Sequence, residues 1–223
     1  MSKYKLLLKP NFFFEIIIYF FDKIFLFYVK YILGFIWKIE LIIRGIIFDS
    51  FISQVVIGRP IVTKAIGSKI MFGEKCVLLS KSRYCLPTSI YSPCKFQTLY
   101  SSAIISVGNN VTFSGTSVVC RSSKISIGSR TMIGPNVTIM DSPFHPSWPV
   151  EDRNNYPGTE LDLPIEIGED VWIGSQVIIL PGSKIGSGSI IGAGSIVKGI
   201  IEPNCLAVGS PALVVKYLAN DKK

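Results

Sequence analysis

The sequence predicts a mainly β fold: a parallel β-helix preceded by an apolar helical segment. Three observations predict it. An isoleucine or valine returns every sixth residue, at Ile167, Ile173, Ile179, Ile185, Ile191 and Val197. A glycine follows four of these, at Gly168, Gly174, Gly186 and Gly192. Val171, Val177, Ser183, Ser189 and Ser195 stand four residues after five of them. A helix repeats at about 3.6 residues and a strand at about 2, so neither produces this step. A fixed short repeat marks a solenoid, whose units bury their apolar side only by stacking on one another. Three six-residue sides would close a triangular turn of about eighteen residues.

The first element, residues 1–53, is an apolar amphipathic helical segment dense in Phe, Ile and Tyr. Charges interrupt it at Glu15, Asp22, Lys23, Lys30, Lys38, Glu40 and Arg44, so no uncharged run reaches the ~18 residues that span a bilayer. At ~100° per residue, Glu15, Asp22, Lys23, Lys30, Glu40 and Arg44 fall within about a third of the helical circumference. The rest of the wheel is apolar. Three placements remain open: an interfacial membrane anchor, helices packed on the β-helix or on partner subunits, and a hairpin through the bilayer. The density of aromatic residues favours the first, with Tyr28, Tyr31 and Trp37 suited to the headgroup layer.

The second element, residues 54–223, is the β-helix. Its early part repeats loosely, through Ile66-Gly67, Phe72-Gly73, Val107-Gly108, Phe113 and Val119, then Ile127-Gly128 and Ile133-Gly134 after a slip at Ile125. Terminal coils of a solenoid act as caps and tolerate such irregularity. A break at about 141–164, DSPFHPSWPVEDRNNYPGTELDLP, carries five prolines and reads as a loop. A loop this long inside a compact domain is usually functional or disordered. The clean array then runs from about residue 165 to 197, and the pattern relaxes through VGSPA to a lysine-bearing tail.

The chain has 223 residues and a net charge of +8, with its charges dispersed. A mild basic excess suits an anionic small ligand or an anionic membrane surface. Basic residues form no stripe interleaved with aromatics, so no nucleic-acid partner is expected. The five cysteines are scattered and never spaced C-x-x-C, which argues against a disulfide framework or a metal site. No secretory signal is recognisable, and reduced cytosolic thiols are the expectation.

His145 is the only histidine. It lies in the loop, outside the periodic apolar positions, where an imidazole could accept a proton from a hydroxyl. The segments IGPNVTIMDSPFHP, PIEIGEDVWIGSQVIILPGSKIGSGSIIGAGSIV and VGSPALVV resemble the hexapeptide-repeat acyltransferases, a left-handed parallel β-helix superfamily. Among these the chain is most similar to bacterial polysaccharide and sugar O-acetyltransferases. The resemblance is close over about a third of the chain and a matter of pattern elsewhere.

The resemblance implies an enzyme in which His145 is the general base and acetyl-CoA the co-substrate, with no bound cofactor. It implies a homotrimer whose donor groove lies between adjacent β-helices and is lined by Trp172, Ser175 and Ala193. Lys198 and Lys216 would stand near the CoA phosphates. Asp141 is a candidate to orient the imidazole or the acceptor. Asn136 is a candidate acceptor-site residue, although Asn in a Pro-Asn step is commonly a turn residue. Maltose- and galactoside-type relatives bring Asn and Asp into the acceptor cleft from the coil before the loop; here those positions read Ser114 and Ser122. With the apolar N-terminus, this points to a hydroxyl of a cell-envelope polysaccharide or its precursor, at a cytoplasmic site peripheral to the inner membrane face. N-acetylation of an amino sugar, free or nucleotide-linked, is the alternative, and a non-catalytic scaffold a third. A γ-class carbonic anhydrase is excluded, since it needs three histidines.

Overall fold

The computed structural model describes residues 19–25, 27–85, 87–154 and 158–218. Among them the chain is a left-handed parallel β-helix with three faces, every third strand returning to the same sheet. The first face stacks Ile46–Phe48, Lys69–Phe72, Ile104–Val107, Lys124–Ile127, Ile165–Ile167, Lys184–Ile185 and Ile200–Ile201. The second stacks Val55–Ile57, Val77–Leu79, Thr112–Ser114, Met132–Pro135, Trp172–Ile173, Ile190–Ile191 and Cys205–Gly209. The third stacks Ile61–Thr63, Lys95–Thr98, Ser117–Cys120, Thr138–Met140, Ile178–Ile179 and Ile196–Val197. One antiparallel strand, Ala212–Tyr217, folds back on Cys205–Gly209 and ends the second face.

The six-residue step is the passage from one face to the next. Ile167, Ile173, Ile179, Ile185, Ile191 and Val197 all point into the core. Val171, Val177, Ser183, Ser189 and Ser195 are the buried corner residues between faces. The serines bind corner backbone: Ser183 Oγ donates to Leu180 O at 2.7 Å and Ser189 Oγ to Glu202 O at 2.7 Å. A buried hydroxyl is thereby paired with a carbonyl that no strand satisfies. The glycine after each inward Ile marks where stacked coils approach most closely. A Cβ on Gly174 would lie 2.6 Å from Ala193 N.

The early coils differ from the expected register in an instructive way. Ile66 is 96% exposed at a corner, beside Gly67 at φ +86°, and Ile70 and Phe72 are the inward residues there. Val118, not Val119, points inward, because the strand Ser117–Cys120 follows the turn at Gly115 and alternates from Val118 to Cys120. Ile125 is no slip: Lys124–Ile127 is a four-residue strand with two inward residues, Ile125 and Ile127. These longer strands obey a period of two within the larger repeat. The wider core they enclose holds one phenylalanine from each face. Phe72, Phe113 and Phe96 meet edge to face, with ring centroids 5.0–6.0 Å apart.

The helical run is shorter than the 1–53 expected, and its residues 1–18 lie outside the described part. Residues 19–25 and 27 are helical, Tyr28–Leu33 forms a π-helical turn, and α1 spans Gly34–Ile43. The β-helix already begins at Ile46–Phe48, which pairs with Ile70–Phe72, so the expected boundary at 53/54 moves forward. Leu41 enters the core and Trp37 packs against it.

The helix turns most of its apolar side outward. Its polar stripe faces the β-helix. Asp22 pairs with Arg83, and Glu40 accepts from Arg59 at 2.7 and 2.8 Å. Lys38 Nζ donates to the carbonyls of Phe51 and Gln54, and burial pulls its pKa below the usual lysine value. Phe20, Phe21, Ile24, Phe35, Ile36, Ile39, Ile42 and Ile43 are exposed. Among the described residues no helix is long and apolar enough to cross a membrane.

Candidate active site

The loop of 141–164 leaves the third face after Met140 and re-enters the first at Ile165. Its backbone is bent sharply at the base: Phe144 has φ +63°, its N–H donates to Ser142 Oγ at 3.0 Å, and His145 N–H donates to Pro143 O at 2.8 Å. Val150–Asn154 forms a short 3-10 turn that brings the carbonyl of Arg153 onto His145 Nδ1. A carbonyl oxygen can only accept, so Nδ1 carries the proton of the neutral ring. Nε2 is left with its lone pair, the arrangement a general base needs.

His145 lines a cavity of about 400 Å³ with Met140, Ser142, Leu161, Leu180 and Lys198. A second cavity, about 270 Å³, opens on the second face. Its walls include Trp172, Ser175 and Ala193, all three of the residues expected to line the donor groove, together with Gly134, Gly174 and Pro87. The glycines expose backbone along the floor, where a slender ligand could lie against amide groups. The two cavities share no lining residue and lie at different corners of the coil. A larger hollow of about 590 Å³ on the first face, beside the Lys184–Glu166 ion pair at 3.1 Å, includes none of the expected site residues.

The remaining candidates separate. Lys198 stands in the His145 cavity, away from the groove. Lys216 lies opposite Leu206, which continues the row Trp172, Ile190, Leu206 on the second face. Asp141 does not touch the imidazole. It is fully buried, and its carboxylate accepts from the N–H of Arg121 at 2.6 Å, Ser123 at 2.9 Å and Ser122 at 3.3 Å. A short acidic side chain leaving the strand end meets the orphan amides of the preceding corner before it can reach the loop tip. Asn136 takes the left-handed conformation at φ +61° and pins another segment: its Oδ1 accepts from Tyr91 N–H and its Nδ2 donates to Ser89 O, both at 2.8 Å.

That segment, 80–94, went unrecognised in the sequence as a functional element. It runs along the corner between the second and third faces, with Tyr91 Oη accepting from Gln176 Nε2 at 2.7 Å and Pro87 walling the groove. From the sequence, residues 83–101, rich in Ser, Pro, Tyr and Cys, read only as a blur in the register of the repeat. The second unrecognised feature is Arg121 with Asp162, a buried pair at 3.3 Å joining the loop to the coil beneath. Ser122, one of the two counted-back positions, donates its Oγ to the same carboxylate at 2.6 Å; Ser114, the other, is buried. Among the described residues no cluster of ligating side chains could hold a metal ion.

Comparison with known proteins places this geometry. Residues 164–199 match the family model for the bacterial transferase hexapeptide (six repeats). The chain is 38% identical over 98 residues to the galactoside O-acetyltransferase of Escherichia coli, covering 44% of this chain and 46% of that protein. It is 43% identical over 110 residues to nodulation protein L of Rhizobium meliloti, covering 49% and 58%. The chain thus matches about half the length of these curated relatives. A variant of an N-acyltransferase from Bacillus cereus, solved with dTDP-4-amino-4,6-dideoxyglucose and coenzyme A, has the same fold. Its TM-score is 0.53 at 16% identity, over 82% of this chain and 90% of that one.

Proposed function

From the hexapeptide repeats of residues 164–199 and the three-faced coil they build, we propose that this chain is an acetyl-CoA-dependent O-acetyltransferase. Its acceptor is a sugar hydroxyl of a cell-envelope polysaccharide or its precursor. The observation that carries the reading is the proton inventory of His145, whose Nδ1 is committed to the Arg153 carbonyl and whose Nε2 is free to act as base. Nε2 takes the proton of the acceptor hydroxyl as its oxygen attacks the thioester carbonyl. Collapse of the tetrahedral intermediate breaks the C–S bond, and the imidazolium returns the proton to the leaving sulfur. No acyl-enzyme is formed. The sugar O-acetyl activity in the name of the Escherichia coli relative supports the acceptor class.

Trp172, Ser175 and Ala193 hold the donor in their groove, and Lys216 meets its phosphates. Because the groove and the base cavity lie at different corners, a complete site draws one from each of two neighbouring chains. This supports a homotrimer, in which Lys198 beside the base also reaches the neighbour's donor. Asn136 serves the site indirectly, by holding the 80–94 segment over the groove, and Asp141 by anchoring the loop. The outward apolar side of α1 and the turn before it rests on an anionic lipid surface, which the positive net charge favours.

Thiol release from acetyl-CoA in the presence of candidate glycans tests the chemistry. His145→Ala is expected to slow the acceptor-dependent rate about 10²–10⁴-fold. An unchanged rate would remove the base assignment. An acetyl group released from the product by mild alkali identifies an ester; a resistant one identifies the amide of an amino-sugar acceptor. Flotation with anionic vesicles tests the surface: Ile36→Glu/Ile43→Glu is expected to lose it, and a monodisperse larger assembly disrupted by the same change would assign the face to self-association instead.

A further inference from the structure

We propose that the buried Arg121–Asp162 pair is a positioning element for the base, setting the walls of the His145 cavity from beneath. The proposal rests on the assignment of His145 as the base, and concerns two residues to which nothing so far gives a role.

The loop is closed at both ends onto one corner of the coil. At its start, Asp141 takes the backbone amides of Arg121, Ser122 and Ser123. At its end, Asp162 takes Arg121 Nη1 at 3.3 Å and Ser122 Oγ at 2.6 Å. The two ends also meet each other, Leu163 N–H donating to Asp141 O at 2.8 Å. Of the described residues, 142–154 and 158–161 lie between these two anchors, and His145 is among them. The residue inside each anchor is a wall of the base cavity: Ser142 follows Asp141, and Leu161 precedes Asp162. The anchors therefore bear on two wall residues of the cavity that holds His145, and through them on the room available to an acceptor there.

The two anchors differ in kind. Asp141 bonds to backbone and would hold any sequence at that corner. Asp162 depends on a side chain, and that side chain is itself held. The Arg121 guanidinium lies 5.5 Å from the centre of the Tyr100 ring, and its side chain is 7% exposed against 0% for Asp162. A buried ion pair adds little to stability against an apolar pair of equal volume, but fixes geometry through directional bonds. Around the base the loop is tied to itself, by Arg153 O on His145 Nδ1, Arg153 Nη2 on Ser147 O at 3.0 Å and Asp152 N–H on Pro149 O at 3.3 Å. Freed at Asp162, the end of the loop beside Leu161 would lose its side-chain ties to Arg121 and Ser122. A displacement of about 1 Å at a reacting group can lower turnover about 100-fold.

The test compares Asp162→Asn with the double variant Arg121→Met/Asp162→Leu, which replaces the pair by apolar volume and avoids an unpaired buried charge. In both, kcat is expected to fall about 10–100-fold, while KM for acetyl-CoA stays within about 2-fold and thermal unfolding remains cooperative. A double variant as active as the wild type would overturn the proposal, as would kcat falling only with the folded fraction. Hydrogen exchange reads the clamp without reference to activity. Exchange across 142–161 is expected to rise in Asp162→Asn while the coil amides stay protected. If the wild-type chain transfers no acetyl group yet this exchange rises, the clamp stands and the functional reading fails. If exchange is unchanged, the clamp fails.

Discussion

Trp172 and Lys216 stand in one outward row of the second face, linked through Ile190 and Leu206 by successive strand pairings. Three strand steps of about 4.8 Å put them roughly 14 Å apart along the stacking axis. That is a span over which an extended pantetheine arm could join a thioester at one end to phosphates at the other. Lys216→Glu is expected to raise KM for acetyl-CoA about tenfold and to have little effect on acetyl-pantetheine, which lacks the nucleotide phosphates. Equal effects on both donors would detach Lys216 from phosphate recognition.

The junction between helix and coil should respond to acid. Hydrogen bonding to Arg59 holds the Glu40 carboxyl below the usual glutamate pKa, with Arg44 adding to the effect. A lowered folded pKa means the stabilisation is complete above the unfolded value of about 4.3 and lost as pH falls through the folded one. Trp37 fluorescence is expected to report loosening of α1 in that acid range, with Arg59→Gln loosening it at neutral pH and flattening the profile. An identical acid transition in Arg59→Gln would show that the pair does not hold the helix.

Two glycines separate crowding from backbone strain. A Cβ on Gly174 would press on the backbone of Ala193 at 2.6 Å, and the structure offers no flexible atom to give way. Gly194 has φ +72° with open space around it. Gly174→Ala is therefore expected to cost about 3 kcal/mol by overpacking and to disturb the donor groove. Gly194→Ala should cost roughly 1 kcal/mol from the left-handed conformation alone. Denaturant titration of the two variants checks the order.

The aromatic junction of the three faces should dominate the stability of the early coils. Phe113→Ala removes the ring that meets both Phe72 and Phe96 and leaves a cavity between coils. A loss of about 3–5 kcal/mol is expected, measured by chemical denaturation. A loss below 1 kcal/mol would mean that the neighbouring rings collapse into the space.

The cysteines should be unequal toward alkylation. Cys76, Cys94 and Cys120 are buried, and burial raises their thiol pKa values, at Cys120 with Asp141 adding to the rise. Cys85 is only half-buried. A maleimide at neutral pH is expected to label Cys85 first and the four buried cysteines, Cys205 included, only on unfolding. Early labelling of Cys120 would show that the corner beneath the loop opens readily.

The later coils were legible because each side there carries one inward residue at a fixed step, as from Ile167 to Val197. The earlier coils were not, since strands such as Ser117–Cys120 carry two inward residues and a corner such as Gly115 shifts the count by one. Ile66 shows the same limit: an apolar residue before a glycine satisfies the motif yet lies at a corner in solvent. Trp172, Ser175 and Ala193 were named by the resemblance rather than by the repeat, and the structure gathers all three around one cavity. Arg121 and Asp162 could not, because forty residues separate partners that only the closed loop brings together. The helix was legible in composition, but three placements stayed open for it, because a wheel reveals two sides without saying which is turned to protein.

A stack of parallel coils carries no statement of its own height, since the upper edge of each coil is a template for another. The reversal of Ala212–Tyr217 against Cys205–Gly209 supplies that statement on the second face. A coil arriving there from another molecule would need a parallel partner and would find a strand running the other way. On that face, therefore, a change of strand direction limits growth, together with the exposed Lys216 that the reversed strand carries.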